Sequence, residues 1–160
     1  MEVPYVSKYY KNTFVAYSFS KSLSLPGERI GYVIVNSEIN DFEKMMFALN
    51  VANRVAGFVN ANSLFQRVIT RCLDCKVDIE VYNRNRIDLY NKLTELGFKC
   101  VKPAGAFYMF PQTPIEDDVA FCNAAKEFNL LLVPGSGFGC KGHMRLSYCV
   151  SHDTIVNSFP

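Results

Sequence analysis

The chain has 160 residues, of which 49% are apolar and 20% charged; these are the proportions of an ordinary globular protein with material for a core, so intrinsic disorder is excluded. Lys and Arg number 17 against 15 Asp and Glu, and no run of like charges occurs, so nothing in the charge points to nucleic acid or a membrane surface as a partner. The length allows one compact domain, or a small domain with part of a neighbour.

In chain order, Phe14-Val15-Ala16-Tyr17-Ser18-Phe19 is rich in aromatic and β-branched residues and predicts a buried strand. A polar loop from Lys21 to Arg29 follows, carrying the turn pair Pro26-Gly27, and Ile30 to Val35 predicts a second strand. Asn40 and Glu43 have the spacing of a capping box, and Phe42, Met45, Met46 and Leu49 recur at helical spacing, predicting a helix from about Ile39 to Ala52. A short helix is expected after Asn60-Ala61-Asn62-Ser63, with Leu64, Val68 and Cys72 on its apolar stripe. Val77 to Leu96 reads as a long helix stopped by Gly97, with Glu80/Arg84 and Asp88/Lys92 spaced for i,i+4 pairing. Strands are then expected at Phe98 to Val101, Phe107 to Phe110, Leu130 to Val133 and Met144 to Tyr148, with a helix near Ile115 to Phe128. Ser151 is placed to cap a last short helix. The alternation is that of an α/β or α+β layer. A domain that opens on an apolar strand with one evident partner implies a truncated sheet, and both ends read as cuts.

Six cysteines lie at irregular spacing, and no signal peptide or apolar stretch of about 18 residues accompanies them. A reduced cytoplasmic protein is the expectation. Cys72 and Cys75 have one half of a zinc spacing, without a second pair or a neighbouring His to complete four ligands, so no metal is expected and thiols on a helix are the plainer reading. Gly135, Gly137 and Gly139 lead into a strand with no following Lys-Ser or Lys-Thr, which argues against a nucleotide loop. His143 and His152 have no triad partners in view and read as surface or packing residues.

The chemistry concentrates in Ser18-Phe19-Ser20-Lys21-Ser22-Leu23-Ser24-Leu25-Pro26-Gly27-Glu28-Arg29-Ile30-Gly31. A lysine leaves the end of a strand with hydroxyls just before it and a guanidinium eight residues later, across a turn that contains glycine. A lysine amine forms a Schiff base with an aldehyde when burial and neighbouring positive charge keep part of it unprotonated. A hydroxyl and a guanidinium fork are the donors a phosphate needs. By composition alone, Lys21 reads as a solvated loop lysine.

This segment resembles the lysine signature of the class I and II aminotransferases, enzymes of pyridoxal-phosphate fold type I, in which a hydroxyl residue precedes the Schiff-base lysine by three positions and an arginine follows it by eight. The resemblance implies that Lys21 holds pyridoxal 5'-phosphate and moves the substrate's α-proton, while Ser18 and Arg29, with Ser20 as a lesser candidate, grip the phosphate. Two further segments resemble the same family. Pro103-Ala104-Gly105-Ala106-Phe107-Tyr108-Met109-Phe110 is similar to the Gly-Ala-Phe-Tyr strand on the substrate side, although a core strand would read the same way. Val133-Pro134-Gly135-Ser136-Gly137-Phe138-Gly139 with Arg145-Leu146-Ser147 resembles the family's Pro-Gly-x-x-Phe-Gly loop and Arg-Leu-Ser strand. There the arginine takes the substrate's α-carboxylate, so Arg145 is the expected anchor; the competing reading is an arginine paired with an internal Asp or Glu.

The resemblance covers essentially the whole chain but only the last part of the family's length. It implies an α/β fold, with residues 1–52 as the remnant of the large cofactor-binding domain and 53–160 as the small domain. The partners it implies are an amino acid and a 2-oxo acid, and a homodimer in the intact protein. The family's ring-nitrogen aspartate and other cofactor contacts map to no residue here, so this piece alone is expected to be inactive. Two rival readings share the residues: a carbon-sulfur β-elimination lyase of the same fold, and a non-catalytic α/β module.

Overall fold

In a computed structural model that describes residues 4–159, the chain folds into two compact units, Met1–Val77 and Asp78–Pro160. In the first unit, a single 3-10 turn at Val6–Lys8 leads to strand β1 (Phe14–Ser18), a one-turn helix α1 (Phe19–Ser22) and strand β2 (Gly31–Val35). The strands pair antiparallel with Phe14 opposite Val35 and Ser18 opposite Gly31. The expected strand stops one residue early because Ser18 turns the chain: its Oγ accepts the Ser20 amide at 3.2 Å, the usual N-cap bond. Lys21 therefore stands in a helical turn, where a loop was expected.

The expectation of a buried strand is corrected. Phe14 and Tyr17 on β1 and Val33 and Ile34 on β2 are exposed, because among the described residues the sheet has two strands and nothing packs on most of its faces. What is buried lies below the loop. Phe19, Ile30 and Ile69 form a small core, with Leu23, Leu25, Ala61 and Phe65 packed against it. Burying a side chain such as Phe19 contributes about 1.5–3 kcal/mol.

Helix α2 (Phe42–Val55) starts three residues later than expected, and the capping box does not form. Its N-cap is Asp41, in the left-handed region without a side-chain bond to the helix, while the Asn40 amide is tied to Asn12. Helix α3 (Ser63–Cys72) is capped by Asn62 as its sequence promised. Its buried face differs from the expected one: Leu64 is 63% exposed, and Phe65 and Ile69, one position on, face the core.

The second unit is built on helix α4 (Ile79–Glu95). Asp78 caps its start. Gly97 ends it at positive φ, and the amides of Gly97 and Phe98 bond back to Thr94 and Leu93, which is a Schellman cap. Asn85, Leu89 and Leu93 form its buried stripe, and the two leucines join Met109, Tyr148 and Ile155 in the core. The charges pair differently from the expectation: Lys92 meets Glu95 at 3.1 Å, and Arg84 lies 3.9 Å from Asp88.

No strand forms at Phe98 to Val101; Phe98 and Cys100 pack against the core from an irregular segment. Strand β3 (Tyr108–Met109), helix α5 (Asp118–Ala125) with a 3-10 turn at Lys126–Phe128, strand β4 (Val133–Pro134), a 3-10 turn at Gly135–Phe138, strand β5 (Met144–Ser147) and helix α6 (His152–Asn157) follow. The regular strand expected at Leu130 to Val133 shrinks to the last residue of that range and Pro134. The sheet order is β3-β5-β4, antiparallel throughout, with Tyr108 opposite Ser147 and Val133 opposite Arg145. Asn85, fully buried, donates to the carbonyls of Tyr148 and Val150 and meets His152 Nδ1 at 3.1 Å, so His152 is a packing residue that joins α6 to α4.

Candidate functional site

In the first unit the backbone itself closes the lysine loop. The Phe19 amide donates to the Ile30 carbonyl at 3.2 Å, one step beyond the Ser18 and Gly31 pair, so the loop from residue 19 to 30 has a pinned neck. Ser18, Ser20 and Lys21 lie on the segment that enters the loop and Arg29 on the segment that leaves it. Ser18 Oγ donates to Ser20 Oγ at 2.9 Å. Strand alternation would have put the two hydroxyls on one face only if the strand had continued; the helical turn brings them together by another route. Arg29 sits at a φ of 50°, in the left-handed region, and its Nη1 donates to the Pro26 carbonyl at 2.8 Å. A guanidinium has five N–H donors, so most of the fork stays available. Lys21 is exposed in this chain, and next to it Ser22 Oγ is buried with no hydrogen-bond partner among the described residues.

Gly31 makes the neck possible. A Cβ at this position would lie 2.3 Å from the Tyr17 carbonyl oxygen, a backbone atom that cannot swing aside. Gly31→Ala is expected to spread the β1–β2 pair and lower thermal stability by about 1–3 kcal/mol, the usual cost of overpacking, and an unchanged melting temperature in a thermal scan of this chain would refute it. The Ile-Gly after the arginine is thus explained by strand contact alone.

In the second unit, Arg145 projects from β5, half-buried. Its guanidinium carbon lies 4.5 Å from the centroid of the Tyr108 ring and 4.2 Å from that of Phe138. Among the described residues it makes no salt bridge, which removes the competing reading of an arginine neutralised by an internal carboxylate. Tyr108 comes from the strand expected to line the substrate side, and Phe138 from the Pro-Gly loop. Neither ring was singled out for this contact from the sequence, because the pairing of β3 with β5 and the turn before β5 create it.

The turn that carries Phe138 is anchored by Asp118, only 4% exposed, whose Oδ2 accepts the Ser136 amide at 2.7 Å. That amide is the main cause that holds the Asp118 carboxyl below the usual carboxylate range, against a smaller upward push from burial. Gly135 is also required here, since a Cβ would lie 2.3 Å from the Cys140 carbonyl oxygen. Sequence reasoning missed Asp118; its one signal was an Asp-Asp pair at a helix start, which reads equally as a cap.

Residues 3–157 match the family described as aminotransferase class I and II. The chain belongs to this family. The aspartate aminotransferase of Geobacillus stearothermophilus is 31% identical over 156 residues, covering 89% of this chain and 38% of the relative. The aspartate/prephenate aminotransferase of Thermus thermophilus is 30% identical, covering 91% of this chain and 38% of its own length. Among solved structures, an amino transferase from Eubacterium rectale shares 51% identity at a TM-score of 0.88, over 99% of this chain and 40% of that one. The aspartate aminotransferase of Thermotoga maritima gives 0.75 at 29% identity, over 91% and 37%. This aminotransferase chain therefore spans about 38% of the length of the curated relatives it matches, and its α/β fold is the C-terminal portion of the pyridoxal-phosphate transferase fold.

Enzymes of the family depend on pyridoxal phosphate. The residues present fit the group's anionic tail: two hydroxyls 2.9 Å apart and an exposed guanidinium stand at either side of one pinned neck, and no Asp or Glu pairs with Arg29 among the described residues.

Proposed function

We propose that the intact protein is a pyridoxal-phosphate-dependent aminotransferase that moves an amino group between an amino acid and a 2-oxo acid. The observation that carries the reading is the pinned loop holding Ser18, Ser20, Lys21 and Arg29 together, in a chain whose family match runs almost end to end. When bound, the cofactor supplies an aldehyde to capture amines and a ring system that accepts electrons from the α-carbon. This chain's own residues do the rest. Lys21 Nζ offers the amine that attaches the cofactor and later takes and returns the α-proton, a job for an amine held close to the reacting carbon. Ser18 and Ser20 donate hydroxyl hydrogen bonds to the phosphate, and Arg29 adds a charge-assisted fork. Arg145 receives the substrate's α-carboxylate.

Residues 1–52 are assigned to the large cofactor-binding domain of that protein and 53–160 to the small one, with the remaining cofactor contacts outside this chain. The intact molecule is assigned to the cytoplasm, as a homodimer in amino acid biosynthesis, and this chain alone is expected to be inactive.

Product analysis of the full-length protein with amino acids and 2-oxo acids tests the reaction. Stoichiometric exchange of the amino group, with a new amino acid formed for each one consumed, is the expected result; ammonia and pyruvate in its place would mean β-elimination, and no turnover would mean a non-catalytic module.

A further inference from the structure

A half-buried guanidinium with no salt bridge must be held in place by something other than charge, or it samples many rotamers and binds a carboxylate poorly. For Arg145 that support is aromatic: the Tyr108 ring at 4.5 Å and the Phe138 ring at 4.2 Å flank it, and none of its N–H donors makes a hydrogen bond among the described residues. Contact with the two rings uses none of its N–H donors, and those donors are what a carboxylate binds.

The two rings are supported differently. Tyr108 belongs to β3 and is fixed by pairing with Ser147. Phe138 ends the 3-10 turn Gly135–Phe138, which has no strand to hold it. The turn is held by backbone bonds that include Gly135 to His143 at 2.7 Å, Cys140 to Gly135 at 3.0 Å and Gly139 to Ser136 at 3.1 Å, and by the Asp118 side chain on the Ser136 amide at 2.7 Å. Phe110 meets the Phe138 ring edge-on at 6.1 Å. The Asp118 carboxylate is buried and forms no salt bridge among the described residues. A buried charge satisfied by amides has a large desolvation cost, and a neutral Asn could accept the same amide bond more cheaply. The ionised form makes the shorter, stiffer bond.

We propose that Asp118 is a positioning residue for Arg145: its carboxylate pins the Ser136 amide, and through that turn the Phe138 ring, so that the guanidinium is already oriented when a substrate carboxylate arrives. The proposal rests on the reading of Arg145 as the carboxylate anchor. Asp118 touches no reacting atom. Its effect is exerted on carboxylate binding, with the chemical step left alone.

The test is a double-mutant cycle in the intact protein with Asp118→Asn, Phe138→Leu, Phe138→Tyr and Arg145→Gln. Kinetics use an amino acid found active by product analysis, and its deaminated carboxylic acid serves as a non-reacting competitive inhibitor. Asp118→Asn and Phe138→Leu are each expected to raise KM and the inhibition constant about tenfold with kcat nearly unchanged, and Phe138→Tyr to restore wild-type values. On the Arg145→Gln background, the same changes should move either constant less than about twofold, since the guanidinium they position is gone. Equal effects in both backgrounds, or an unmoved inhibition constant, overturn the proposal. If Asp118→Asn does not fold, Asp118→Glu, which displaces the carboxylate from the Ser136 amide, takes its place in the cycle and is judged by the same criterion. Should the wild-type protein itself transfer no amino group and leave Lys21 unlabelled by borohydride, the functional reading falls and the proposal with it; an active wild type with additive variants removes the proposal alone.

Discussion

Lys21→Ala in the intact protein is expected to lower the rate of amino transfer by about 10⁴-fold or more and to remove covalent attachment of the cofactor. Two separate losses combine. General acid–base catalysis by a placed group contributes roughly 10²–10⁴-fold, and the covalent link that splits a difficult step into easier ones is lost as well. Lys21→Arg separates charge from chemistry. Arginine keeps a cation at the position but cannot be deprotonated and cannot act as a nucleophile, so it should be as defective as alanine. Reduction of the full-length protein with borohydride in the presence of cofactor, followed by peptide mapping, should place the label on Lys21 in the wild type and nowhere in either variant. Label on a different lysine, or an active Lys21→Arg protein, would dispose of the assignment. The Phe19 to Ile30 bond and the small core of Phe19, Ile30 and Ile69 shape the loop, so the substitution should leave the fold intact, and circular dichroism can establish that independently.

The second large effect belongs to Arg145. Truncating one partner of a desolvated charge pair costs about 2–5 kcal/mol, so Arg145→Gln should lower kcat/KM by roughly 30- to 5,000-fold. The loss should appear mainly in KM, because the carboxylate is bound in the ground state and in the transition state alike. Arg145→Lys is the sharper probe. It preserves the charge but gives up both the fork and the stacking against Tyr108 and Phe138, which place the guanidinium carbon within 4.5 Å of each ring centroid. If geometry matters as much as charge, lysine should recover only a minor part of the loss. A lysine variant with wild-type KM would mean that Arg145 acts as a bare positive charge, and the aromatic contacts would then have no role in binding.

The two predictions probe different units of the chain, and each rests on a local arrangement. The lysine site is a loop with a backbone-closed neck; the arginine site is a strand residue flanked by two rings. Both arrangements form within a chain spanning some 38% of its relatives' length.

What could be read in the sequence alone follows the same division. The cap at Ser151, the helix start in Asn60 to Ser63, the Gly97 stop, the long helix and the two strands about the lysine loop are local effects, written in a few neighbouring residues, and they fold as read. Lys21, Ser18, Ser20, Arg29 and Arg145 were likewise visible, because their spacing and residue types carry a family resemblance without any knowledge of contacts. The tertiary structure decided everything that depends on what stands opposite. It turned α3 so that Phe65 and Ile69 are buried and Leu64 is not, since the core it meets is the lysine loop. It denied Phe98 to Val101 a strand, because Phe98 is occupied in closing the Schellman cap. It left β1 and β2 exposed where apolar composition implied burial, for want of neighbouring strands among the described residues. Above all it brought Asp118, Phe138 and Tyr108 around Arg145 from three separate segments. Burial and through-space pairing depend on the partner surface, and a linear string of residue types does not contain that surface.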